Sequence, residues 1–77
     1  MKVTVYAVLK DFFDHSFTLN ERLSSVEELK NRLEQIKPQS AAVLKACRFA
    51  VNNEFVNLDF KIKEDDSISI LPPASGG

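Results

Sequence analysis

The sequence predicts a small α+β domain in which one mixed sheet lies on one side of a single main helix. Short stretches rich in β-branched and aromatic residues stand at both ends of the chain. Between them, Val26, Leu29, Leu33 and Ile36 recur at helical spacing. That stripe is only one face wide, so the helix needs a sheet face to bury it.

Each element follows from local signals. Residues 2–9, KVTVYAVL, read as a first strand with Val3, Val5 and Ala7 sharing a face. Leu9, Phe12 and Phe13 then sit at helical spacing, which predicts a short helical turn around Ala7 to Phe13 that packs two rings onto the sheet. Ser16 to Asn20 alternates, with Phe17 and Leu19 on one side, and reads as a second strand paired to the first. Ser25 and Glu28 form a capping box that starts the main helix, leaving Glu27, Lys30, Asn31 and Glu34 to face water. Pro38 ends that helix because it disfavours helical geometry at Lys37 and has no amide donor. Ser40 to Ala46 reads as a second short helical piece, again capped by its serine.

Arg48 to Val51 and Phe55 to Val56 flank Asn52-Asn53-Glu54, and asparagine tolerates positive φ, so a tight hairpin is expected. Residues 58–63, LDFKIK, alternate and read as a further strand. Glu64-Asp65-Asp66 makes a solvated turn into a last strand, Ser67 to Leu71, with Ile68 and Ile70 inward and Leu71 outward. This order of elements is that of the β-grasp, or ubiquitin-like, arrangement. A ferredoxin-like split βαβ would need a second long helix between Phe49 and Leu71, where none is visible.

Composition narrows the function. A chain of 77 residues allows one domain, and 10 basic against 11 acidic residues give a net charge of −1, which argues against nucleic-acid binding. With one His and one Cys there is no framework for zinc or an iron–sulfur cluster and no intrachain disulfide, so no metal site and a reducing compartment are expected. The apolar run Val5 to Leu9 is far short of the roughly 18 residues of a membrane span, and Asp11 follows before any small-residue cleavage site. The reading is a cytoplasmic protein with no membrane partner.

The isolated candidates for chemistry read as structural. Cys47, leading into an apolar strand, reads as a small buried hydrophobe. His15 beside Asp14 reads as a solvated loop residue, the acidic run 64–66 lacks the ligand spacing of a calcium loop, and the phenylalanines at 12, 13, 17, 49, 55 and 60 read mostly as core. Leu71 differs: an apolar residue facing outward suggests a partner surface.

The most informative feature is the placement of glycine, because the only two are Gly76 and Gly77. Without a Cβ, such a terminus threads a narrow channel and presents its carboxylate to another protein's active site. Pro72 and Pro73 remove two amide donors and fix φ, which ends sheet pairing after Leu71 and divides the chain into a domain, 1–71, and an extended tail, 72–77. That tail reaches at most roughly 20 Å at about 3.3 Å per residue, enough to enter a partner's pocket.

Together with the β-grasp order, the terminal LPPASGG resembles the small sulfur-carrier subunits of molybdopterin synthase, the MoaD-type family of the ThiS-like superfamily. The resemblance extends to Ser-Val-Glu-Glu-Leu opening the main helix and to Val51-Asn52 in the hairpin. It departs at Glu64-Asp65-Asp66, where a glycine is common, and at Ala74, where a larger branched residue is frequent.

The resemblance implies a carrier that supplies a reacting atom and neither an acid, a base nor a bound cofactor. An E1-like adenylyltransferase would use ATP to convert the Gly77 carboxylate into an acyl-adenylate. A sulfur donor, a persulfide protein, would displace AMP to leave a thiocarboxylate. The tail, with Leu71, Pro72, Pro73, Ala74, Ser75 and Gly76 as partner contacts, would insert into the large subunit of a heterotetramer and transfer its sulfur to cyclic pyranopterin monophosphate. A thiamine-type sulfur carrier and a ubiquitin-like protein modifier would use the same C-terminal activation, whereas a plain interaction domain would leave the tail inert.

Overall fold

The structure is a computed structural model and describes residues 1–73. Its sheet has five strands: β1 (Lys2–Val5), β2 (Ser16–Thr18), β3 (Arg48–Val51), β4 (Glu54–Val56) and β5 (Ser67–Leu71), in the order β2-β1-β5-β3-β4. β1 and β5 run parallel at the centre, Val3 opposite Ile68 and Val5 opposite Ile70, while the remaining pairings are antiparallel. One face carries Val3, Val5, Phe49, Val51, Ile68 and Ile70 onto the helix α1 (Val26–Ile36), whose Val26, Leu29 and Leu33 are fully buried. This is the β-grasp arrangement.

β1 stops at Val5 because Ala7 takes a positive φ of 55°, and the chain turns into a 3-10 segment, Ala7–Asp11, that drives Leu9 into the core. The first strand is thus shorter than the 2–9 expected, and β2 ends at Thr18 where Asn20 was expected. At the start of α1 the Glu28 amide donates to Ser25 Oγ at 3.2 Å, as the capping box requires. The return bond differs: Glu28 accepts from the Ser24 amide at 2.8 Å, which holds its carboxyl below the ordinary value.

The expected strand over residues 58–63 is absent. In its place the segment turns at Leu58-Asp59 and meets Ser25 only through a single bridge at Lys61. The reason lies in α1, whose first amides have no intrahelical acceptor. The Val26 amide donates to Phe60 O at 3.0 Å and the Glu27 amide to Leu58 O at 2.8 Å, so the carbonyls that would have made a ladder cap the helix.

Other expectations are corrected by burial. Ile36, at the last turn of α1, is 42% exposed because the stripe outruns the sheet it covers. Lys30 and Glu34 lie against the protein as a mostly covered ion pair at 2.8 Å. Ser40 is buried and makes no cap; its hydroxyl donates to Lys37 O at 2.7 Å ahead of α2 (Ala41–Ala46). Of the six phenylalanines only Phe49 is buried, with Phe12, Phe13 and Phe17 half-buried and the last two stacked at 5.9 Å.

Asp66 is not a solvated turn residue. It is 8% exposed and accepts from the Lys63 amide at 2.8 Å and from Asn52 Nδ2 at 3.0 Å. Asn52 in turn accepts from the Ser67 amide at 3.1 Å, which ties the β3–β4 turn to the mouth of β5. That turn is the expected tight one, with φ of 50° and 73° at Asn52 and Asn53.

Candidate functional site

The site is built at the end of β5, where the chain leaves the sheet. Leu71 is the last paired residue, opposite Arg48, and is half-buried, with Pro72 half-buried and Pro73 exposed after it. Alternation from the buried Ile68 and Ile70 carries Leu71 to the outer face, as expected, although neighbours cover part of it. Ala74, Ser75, Gly76 and Gly77, the remaining candidate residues, lie outside the described residues.

Around the tail's exit the outer face forms an apolar patch that the sequence reading missed. In register, Thr4, Ser69, Ala50 and Phe55 make one row across four strands, and Leu71 and Arg48 begin the next. Small residues in the first row leave Phe55 standing free at 55% exposure. The Arg48 guanidinium lies over its ring, 4.1 Å from the centroid. Tyr6, extended at φ −127° and ψ 160°, follows Val5 beside Leu71 and is 40% exposed. A groove of about 420 Å³ lined by Cys47, Arg48, Phe55, Val56 and Leu58 borders the patch. The signal that could have found these residues was alternation within the hairpin, since Phe49 and Val51 inward leave Arg48 and Ala50, and with them Phe55, outward.

The isolated candidates have structural surroundings. His15 is exposed but anchored, because Nδ1 donates to Val5 O at 2.9 Å and its ring meets Tyr6 edge-on at 5.6 Å. The half-buried Cys47 donates from Sγ to Val43 O at 3.1 Å, and burial pushes its thiol up to about 11, away from the thiolate a nucleophile needs. Among the described residues no three His, Cys, Asp or Glu side chains gather as metal ligands. No described helix is long and apolar enough to cross a membrane. What the described residues offer here is a central strand paired on both sides and, beside its end, an exposed apolar patch.

Known proteins resemble this chain in sequence and fold. The chain is 41% identical over 51 residues to a molybdopterin synthase sulfur carrier subunit of Dictyostelium discoideum, a stretch that is 64% of this chain and 59% of that protein. The chain thus spans about three fifths of the length of that curated relative. Among solved structures it is similar to the complex of subunits 1 and 2 of molybdopterin-converting factor from Helicobacter pylori, with a TM-score of 0.70, 28% identity, and 99% of this chain and 96% of the matched chain covered. SAMP1 from Haloferax volcanii shares the fold at a TM-score of 0.80 and 17% identity, covering 99% of this chain and 97% of its own. The ThiS family model runs across sheet, helix and tail from residue 3 to residue 77, and the chain belongs to the ThiS family.

Proposed function

We propose that the chain is the sulfur-carrier small subunit of molybdopterin synthase and works in the cytoplasm. The observation that carries this reading is the 41% identity to a protein of that name. The terminal Gly76-Gly77 supplies the chemistry and the patch around Leu71 supplies the docking surface. In this reading the Gly77 carboxylate attacks ATP on an E1-like adenylyltransferase, releasing pyrophosphate and leaving an acyl-adenylate. The outer sulfur of a protein persulfide then attacks the carbonyl carbon and AMP departs, leaving an acyl disulfide; a second thiol attacks the donor's inner sulfur, breaks the S–S bond and is oxidised with it to a disulfide, which frees the thiocarboxylate. No cofactor resides on the carrier, and ATP belongs to the activating enzyme.

The large subunit is the acceptor. The similarity to one chain of the Helicobacter pylori complex supports a partner of that kind. Docking over Tyr6, Phe55 and Leu71 would leave the tail free to enter the large subunit and meet cyclic pyranopterin monophosphate. Intact-mass analysis of the native protein, followed by single-turnover reaction with the purified large subunit and that precursor, tests the proposal. We expect a species with one oxygen replaced by sulfur that reverts to the carboxylate as molybdopterin forms. A population without that species, or isopeptide conjugates with no molybdopterin formed, would sink it.

A further inference from the structure

The outer face of the sheet carries charge of one sign. Of its outward strand positions, only Lys2 and Arg48 are charged, and no Asp or Glu stands among them, although the chain as a whole has a net charge of −1. Lys2 lies at the far end of β1, whereas Arg48 is paired with Leu71 at the tail's exit. The ion pairs among the described residues use Arg22, Lys30 and Arg32, and Arg48 joins none of them. Its guanidinium rests instead on the ring of Phe55 at 4.1 Å, and stacking leaves the N–H edge without a carboxylate among the described residues.

That geometry sets a condition on whatever covers the patch. A surface that buries Phe55 must also bury the guanidinium lying on it, and an unpaired buried cation is strongly unfavourable. We propose that Arg48 determines partner specificity on this face, held flat by Phe55 so that it pairs with a carboxylate on the docking protein. The neighbouring groove of about 420 Å³ gives an acidic side chain room to approach. A partner with an apolar pocket alone would be rejected. The inference deepens the docking reading above and rests on it.

Calorimetric titration of the full chain with the large subunit at low and high salt tests it, using Arg48→Lys, Arg48→Met and Arg48→Glu beside Leu71→Asp. Arg48→Met should weaken binding about tenfold at low salt and flatten the salt dependence, Arg48→Lys should recover part of the loss, and Arg48→Glu should weaken it about a hundredfold by repulsion. Melts of all three should match the native protein, since Arg48 is exposed. If Arg48→Glu binds no worse than Arg48→Met, no carboxylate faces Arg48 and the inference is overturned. If the Arg48 variants bind as the native chain does while Leu71→Asp does not, the inference fails and the docking face stands. Native affinity in Leu71→Asp as well would remove the docking face itself.

Discussion

Replacing Asp66 by alanine should be among the most damaging single changes outside the apolar core. The side chain is 8% exposed and holds the Lys63 amide at 2.8 Å and Asn52 Nδ2 at 3.0 Å. Hydrogen bonds to a charged acceptor are worth about 1.5–3 kcal/mol each, and because the two donors can partly rehydrate, the combined loss should be about 3 kcal/mol. For a domain of this size that corresponds to a melting temperature lower by about 12–24 °C. Asp66→Asn should fall about halfway, because its amide group can satisfy only one of the two donors and sets N–H against N–H at the other. Asn52 cannot rescue it by flipping, since its own Oδ1 already accepts from Ser67. Urea melts of both variants, with the exposed Asp65→Ala as a control expected within about 0.5 kcal/mol of native, provide the measurement. An Asp66→Ala midpoint that coincides with Asp65→Ala would refute the bridging role assigned to this carboxylate.

Four further outcomes are expected. Deleting Gly77, or fusing a tag after it, should abolish molybdopterin formation with purified partners and leave the thermal melt unchanged. Leu71→Asp should raise the Kd for the large subunit roughly thirtyfold or more, a cost of about 2 kcal/mol, while the isolated domain loses about 1 kcal/mol because the residue is only half-buried. Cys47→Ser should retain sulfur transfer, and the native thiol should react with a disulfide reagent near pH 8 far more slowly than in urea. Its thiol is raised in the folded state to about 11 from 9.0, so any stability it contributes is whole below pH 9 and lost as pH rises towards 11 in a denaturant series. Glu28 behaves in the opposite sense: its folded value is lowered by the Ser24 amide, so its contribution is present above pH 4.5 and lost as pH falls below that, and Glu28→Gln should flatten the acid limb of the stability curve.

The elements legible in the sequence were those whose signal is local. Ser25 caps α1, Asn52 and Asn53 supply the positive φ of the hairpin, and Ile68 and Ile70 alternate into the core because β5 is central and covered on one face. Residues 58–63 misled because their alternation is real but their backbone is used elsewhere: the carbonyls of Leu58 and Phe60 go to the open end of α1, a demand set by a segment more than thirty positions earlier in the chain. Asp66 read as solvated because nothing local reveals that Asn52 will stand opposite it once β3 and β5 pair. Of the candidate site, the outward register of Leu71 was legible from the alternation of β5, while Ala74 to Gly77 lie outside the described residues. The exposed patch was not legible, because Tyr6, Arg48 and Phe55 come from three separate stretches that only the sheet register assembles.

The position of β5 bears on what happens when the tail is gripped. A strand at the edge of a sheet is held by one ladder alone. β5 is flanked on both sides, with four residues in register with β1 and four with β3. A pull along its axis loads both ladders in shear at once, so the bonds must rupture together. In the function proposed above, traction on the residues after Leu71 would be absorbed across the middle of the sheet, with the Asp66 bridge acting as a stop at the strand's far end.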